Sequence, residues 1–552
     1  MHDRSTLLGR LACLLLLGAG PLGAQRVLSA GEDAVTLPRG AIRVGIGGVS
    51  TLQRDGWRDG SLQGLAGSFT GPSLGVAQVP RLAGTQQSLR DLGLAGFTGS
   101  LGAPTLDVRQ RLFVTPLSAE YGVTDWLTLG ARATLVRTRT AARFTVNGDS
   151  ASLGLNPIRV GSGVAAENQS AIDVFATAGS NLLARRNACQ LNPASAPECP
   201  TINAEATDVS ALTARLSAFA NNLQSLYGGV SAAGQRYVPR AGSSTEAALL
   251  ARVDSMRSAL ERYGITTVTA TSGLPLGAQT PLSADELDAI IGDSTAGFGA
   301  APLDDGGLTA LGDVELAARI KVFDSFGRAH MDRFTSTKRG VRQTLVLTGR
   351  LGTGTVDRPD ALLDQGSGSG TDAIGLRSVT DVVFGRSAWL SVAVGGIKGF
   401  STTRRMRVPS SDDFIFLEAW READVEIDPG LRLDASLSPQ WMVNDFIALG
   451  GVWQWRQWAA DEHRTPASAT DPDGNSVTFR PSALDASTRA SEQAVGLTAT
   501  FSTLASRERG GNGLALELTY QHLQSIASGV GIVPKRWEDR LVLRYYTRFF
   551  RR

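Results

Sequence analysis

Residues 126–138 read Trp-Leu-Thr-Leu-Gly-Ala-Arg-Ala-Thr-Leu-Val-Arg-Thr, and their spacing decides the fold. Leu127, Leu129, Ala131, Ala133 and Leu135 share one parity; Thr128, Gly130, Arg132 and Thr134 hold the other. A period of two sustained over about ten residues is a strand with one apolar and one polar face. The pattern recurs downstream. Leu316, Ala318 and Ile320 alternate with Glu315, Arg319 and Lys321, and Leu345, Leu347 and Leu351 with Arg342, Thr344 and Arg350. Ile427, Leu431 and Leu433 interleave with Glu426, Arg432 and Asp434, and Leu514, Leu516 and Leu518 with Glu517. At the end of the chain Leu541, Leu543 and Tyr545 interleave with Arg540 and Arg544.

About twelve such segments are present, each near the ~9–11 residues that a tilted strand needs to cross a bilayer. They fall at 41–50, 105–121, 126–138, 313–323, 340–351, 372–385, 388–399, 423–438, 446–458, 490–503, 513–524 and 537–550. The Gly- and Ser-bearing stretch 86–101 has room for another. Connections alternate long and short, with turns such as Gly122–Asp125, Gly385–Ser387 and Val443–Asp445 on one side, as in an up-and-down membrane barrel. Tyr121, Trp126, Trp389 and Trp441 stand beside the short turns, and Trp453, Trp455, Trp458 and Trp537 near the opposite ends, a candidate pair of interfacial girdles. The expected fold is all-β: a closed antiparallel transmembrane β-barrel of about twelve strands with an inserted extracellular α-helical hairpin.

Composition agrees. Of 552 residues 42% are hydrophobic and only 19% charged, too balanced for a disordered chain and too polar for a bundle of membrane helices. The net charge of +2 is dispersed, so nucleic acid is not an expected partner. Arg4 and Arg10 precede the apolar run Leu11–Leu17, and Leu22-Gly23-Ala24 supplies small residues, which makes 1–24 an export signal. The remaining cysteines, Cys189 and Cys199, are an even pair in an exported chain and predict one disulfide.

The expected organisation is the signal (1–24), the first strands with an outer loop (25–144), a helical insertion (145–307) and the remaining strands (308–552). Within the insertion Val209, Leu212, Leu216, Phe219, Leu223 and Leu226 repeat at helical spacing, as do Leu249, Val253, Met256, Leu260 and Tyr263. They suggest an antiparallel hairpin over about 204–264. The second helix opens with the capping box Ser243-Ser244-Thr245-Glu246, and Ser283–Glu286 opens a short helix over about 284–291. A bland protective cap and a gate or ligand-capturing lid are both open readings of this insertion.

Catalysis has little to work with. His330, His463 and His522 remain after the signal, and His522 shares the apolar parity, so it does not form an inward pair with Ser525. No zinc spacing or phosphate-cradling loop is present, and no cofactor is expected. What remains is the polar parity. Arg132, Glu315, Arg319, Arg342, Glu426, Arg432, Asp434, Glu517 and Arg544 are candidate lumen-lining residues; Arg109, Arg111, Arg350, Asp428, Arg540 and Arg548 carry the same parity. Charges of both signs suit a hydrated pore or a salt-bridged plug.

Leu351-Gly352-Thr353-Gly354-Thr355-Val356-Asp357-Arg358-Pro359-Asp360 and Leu311-Gly312-Asp313-Val314-Glu315-Leu316 resemble recurring pieces of a transporter family grouped with the meta-pathway phenol-degradation channels. The resemblance covers about 308 to the end and implies passage of small hydrophobic or aromatic compounds. The final Phe549-Phe550 resembles the aromatic signal read by outer-membrane insertion machinery, although Arg551-Arg552 follow it. The expected function is passive passage of small hydrophobic or anionic molecules, with lipid, insertion machinery and solute as partners. The alternative is a non-conducting structural or surface-recognition barrel.

Overall fold

A computed structural model describes residues 32–294, 298–326, 339–361, 363, 365–410, 417–466, 468–472, 474–485 and 488–547. The export signal, His330, Arg548 and Phe549-Phe550 lie outside the described residues. Twelve antiparallel strands close a barrel: β1 (Ile42–Arg58), β2 (Ala103–Thr124), β3 (Leu127–Asn147), β4 (Val314–Asp324), β5 (Arg339–Leu351), β6 (Ala373–Phe384), β7 (Ala388–Gly399), β8 (Arg432–Met442), β9 (Ile447–Trp458), β10 (Ala490–Ser502), β11 (Leu516–Ala527) and β12 (Ile532–Thr547). Closure is made by β1, which pairs with β12 from Ile42↔Thr547 to Arg58↔Ile532 and on its other edge with β2, Ile42↔Tyr121 through Gln53↔Gln110. Among the described residues the ladder runs continuously round the ring, which pairs the backbone of the spanning strands as hydrocarbon demands.

The side chains invert the soluble pattern. On β12 Arg540 is 1% exposed whereas the neighbouring Leu541 is 48% exposed. The same alternation puts Ile42, Val44, Ile46, Leu117, Leu129, Leu376, Val394, Leu449 and Leu497 outside. A soluble β-protein buries its leucines; this wall turns them to lipid and encloses its charges. Tyr121, Trp126 and Trp441 are exposed at the short-turn end, and Trp453 faces outward toward the long-loop end. Trp389 and Trp458 instead turn inward and are buried, so they are not part of either girdle. Gly385 takes φ 74° in the two-strand turn between β6 and β7, a conformation that a Cβ would strain.

One expected strand divides. Residues 423–438 split at Pro429-Gly430: β8 begins only at Arg432, and Glu422–Asp428 joins Thr402–Arg407 and Glu462–Arg464 in a separate three-stranded sheet. Proline lacks the ladder donor, which interrupts the run there.

Phe69–Thr105 and Thr145–Ala289 form a second compact unit. It contains α1 (Leu82–Asp91), α2 (Val164–Leu191), α3 (Cys199–Ala204), α4 (Ala206–Tyr227) and α5 (Ser244–Glu261). The stretch with room for a further strand thus contributes a helix. The long partner of α4 is α2, not α5: Phe175 meets Phe219 edge-on at 5.1 Å, and Ile172 and Leu182 are buried with Leu212, Leu216 and Leu223. The buried face of α2 includes Asn168, Ala178, Gly179 and Cys189, which blur its apolar seam in the sequence. The capping box forms as expected: the Ser243 side chain accepts from the Glu246 N–H at 3.3 Å, and Glu246 Oε2 from the Gly242 N–H at 2.7 Å. Cys189 and Cys199 are bonded, tying the end of α2 to the start of α3.

Candidate functional site

The strand alternation delivers charged side chains into the lumen, where they pair. Along β10–β12 Glu492 and Glu538 flank Arg536: Arg536 Nε donates to Glu492 Oε1 at 2.7 Å and Arg536 Nη1 to Glu538 Oε2 at 2.7 Å. Arg540 donates to the second oxygen of Glu538, Arg456 approaches Glu492 at 3.7 Å, and Ser525 donates to Glu492 at 2.5 Å. Nearer the short turns Arg544 bonds Glu517 at 2.6 Å. Removal from water costs each ion several kcal/mol, which close pairing and further hydrogen bonds offset. The result is a braced wall on this side of the barrel.

The opposite side holds a feature that periodicity did not reveal. Residues 32–37 enter the lumen at the short-turn end as an extended segment, with Asp33, Ala34, Val35, Thr36 and Leu37 all buried. Ala34 N–H donates to Asp381 on β6 at 2.9 Å, and Thr344 on β5 donates to Ala34 O at 2.6 Å. Arg319 on β4 donates to Asp33 O at 2.8 Å, and Leu37 N–H donates to Thr128 on β3 at 2.8 Å. The Asp33 carboxylate meets Arg43 at 3.1 Å and Arg544 at 3.8 Å, and Glu32 meets Arg377 at 3.0 Å. Val35, Leu37 and Ala41 pack with Leu504, Ala515 and Tyr546. The segment therefore crosses the lumen on polar side chains borrowed from at least five strands.

Beside it lies a cavity of about 140 Å³, walled by Arg43, Arg132, Arg319, Arg377 and Arg544 and by Glu32, Glu120 and Glu315. Five guanidinium groups face three carboxylates, and Asp33, Asp434 and Glu517 pair with the same arginines from just outside the lining, so the wall is a charge-balanced ion-pair network. Gly45, Gly47 and Gly130 make room where larger side chains would close it. It is below the ~300–1,000 Å³ of a drug-sized ligand pocket, the scale of a constriction.

The structure brings several sequence candidates together. Arg132 and Glu315 stand 3.7 Å apart on adjacent strands, and Arg319 joins them on the cavity wall. Glu517 and Arg544 pair with each other, and Asp434 with Arg377. Arg342 is buried lower down, 3.5 Å from Asp324. Arg432 lies at the outer end of β8, on the same face as Asp434. Glu426 departs from expectation: it sits on the separate three-stranded sheet opposite Thr403 and Arg464, with its side chain half exposed. Arg109 and Arg111 also depart, pointing outward while Val108 and Leu112 are buried. The outer half of β2 buries apolar residues within the barrel, where Leu112 and Val114 cluster with Val49 and Val136. Glu120, Arg377 and Asp381 lie in the expected strands 105–121 and 372–385 but were not among the lumen candidates, and the lumen segment carried no periodic signal at all. His522 and Ser525 fall on opposite faces: Ser525 bonds Glu492 inside, and His522 bonds Asp539 outside at 2.9 Å.

No protein-family model matches this chain, and no curated protein sequence matches it. Among solved structures, an outer membrane channel from Pseudomonas putida F1 is similar with a TM-score of 0.39 and 12% identity, covering 94% of this chain and 100% of that one. The translocator domain of the autotransporter NalP from Neisseria meningitidis gives 0.28 and 7%, covering 92% and 88%. The Pseudomonas putida toluene transporter TodX gives 0.25 and 9%, covering 98% and 100%. The barrel itself rests on this chain's own strand pairing.

Proposed function

We propose that this chain is an outer-membrane channel for small solutes, held closed in the present state by its segment 32–37. The short turns face the periplasm and the long loops the cell exterior, the usual orientation of such barrels. The observation that carries the reading is the lumen segment: its backbone is tied to Asp381, Thr344, Arg319 and Thr128 by hydrogen bonds, not by a continuous strand ladder. Such contacts are individually worth about 0.5–1.5 kcal/mol, more to charged groups, so the segment can be displaced without unfolding the barrel. A permanent structural stopper would gain more by joining the sheet.

The arginines of the adjacent cavity wall present guanidinium donors that suit small anionic or amphipathic solutes. Planar-bilayer recordings of the purified chain test the reading. Brief openings with anion preference support it. Absence of conductance and of solute uptake into liposomes, with the segment present or deleted, leaves the non-conducting barrel as the better description.

A further inference from the structure

The outward face of two neighbouring strands changes character abruptly. On β3 the outward side chains run Leu129, Ala131, Ala133 and Leu135, then switch to Arg137 and Arg139. On β2, read from the short turn, they run Tyr121, Ala119, Leu117, Thr115 and Phe113, then switch to Arg111 and Arg109. Leu52↔Arg111 pairing places the exposed Arg54 of β1 beside them. Strands tilted ~40° climb roughly 2.5 Å per residue, so both switches fall about one apolar thickness, roughly 25 Å, above the short turns. The arginines therefore emerge where hydrocarbon ends and headgroups begin at the long-loop face. Arg109 is tied to Asp107 at 3.4 Å. Arg111, Arg137 and Arg139 have no acidic partner among the described residues. On the adjoining β12, Lys535 lies 5.3 Å from the ring of Trp537, extending the cationic edge beside an interfacial aromatic.

Guanidinium forks match phosphate oxygens two at a time, and anionic headgroups draw basic side chains held near a membrane surface. We infer that Arg54, Arg111, Arg137 and Arg139 form a docking face for the phosphate groups of an outer-leaflet glycolipid of the lipid A type. The inference rests on the orientation in the proposed function, which puts this edge at the exterior leaflet.

Native mass spectrometry of the full chain in detergent, titrated with bis-phosphorylated lipid A, reads the site directly. Wild type is expected to retain this lipid at least about tenfold more tightly than its dephosphorylated form, with three or four basic side chains contributing. The triple variant Arg111→Gln/Arg137→Gln/Arg139→Gln should bind both forms alike, and the corresponding triple lysine variant should recover part of the difference. Inorganic phosphate at millimolar concentration should not displace the lipid; displacement would assign the face to free phosphate and overturn the inference. Equal retention of the two lipids by wild type overturns it without any variant. Conductance in phosphatidylcholine bilayers reads the channel proposal separately: a conducting barrel that ignores lipid phosphates refutes only the docking face.

Discussion

Glu538 shows at a single residue how this barrel tolerates charge. It is buried between Arg536 and Arg540, and each of its oxygens accepts from one of them. Glu538→Gln leaves two buried guanidinium groups short of a countercharge and should destabilise the barrel by about 3–5 kcal/mol, read as a lower urea midpoint for the vesicle-inserted protein. Asp445, in the turn between β8 and β9, behaves differently because water reaches it. Hydrogen bonds from Arg509, at 2.7 Å, and from Arg386, at 3.1 Å, hold its carboxyl below the usual aspartate range. A depressed folded-state pKa contributes stability above the unfolded value and loses it as pH falls through the folded one. Amide protection in Val443–Phe446, corrected for the intrinsic exchange rate, should therefore fall below about pH 4 in wild type and stay level in Asp445→Asn. Inward placement was legible where the membrane enforces parity, as for Arg132, Arg319 and Arg544. They were not legible for Arg109, Arg111 and Glu426, which lie on extensions where either face can be wet.

Elements followed the same division. Eleven of the twelve barrel strands stand near their expected positions, and β8 begins late at Arg432, because hydrocarbon outside and charge inside imprint a period of two. Segment 32–37 left no such imprint: five buried residues in a short stretch make no periodic pattern, and the strand side chains that bond its backbone lie from about 90 to almost 350 residues away. Asp381→Ala removes the acceptor for Ala34 N–H and should raise the fraction of time the channel is open, measured in single-channel traces. Helix α2 was missed for another reason. Asn168, Ala178 and Gly179 on its buried face permit close packing on α4 but dilute the apolar signal. The Cys189–Cys199 bridge closes a ten-residue span, so reduction or Cys199→Ser should cost the helical unit about 2–3 kcal/mol, seen as faster proteolysis between α2 and α4.

At the scale of the whole barrel, closure and blockage are separate properties. Closure comes from β1 pairing on both edges and satisfies the membrane. In the proposed reading blockage comes from a short segment held by side chains, beside an arginine-lined cavity, and its release would open the channel. The Glu492–Arg536–Glu538–Arg540 pairs on β10–β12 are made without the segment, and Arg544, which meets Asp33, keeps Glu517 as a partner, so the proposed opening leaves these pairs intact. The most direct measurement compares single-channel conductance of the full chain with that of a chain lacking residues 32–37, both inserted in the same planar bilayers. The account predicts rare, brief openings for the first and a sustained conductance with anion preference for the second. Equal silence from both, with the barrel demonstrably folded and inserted, would contradict it.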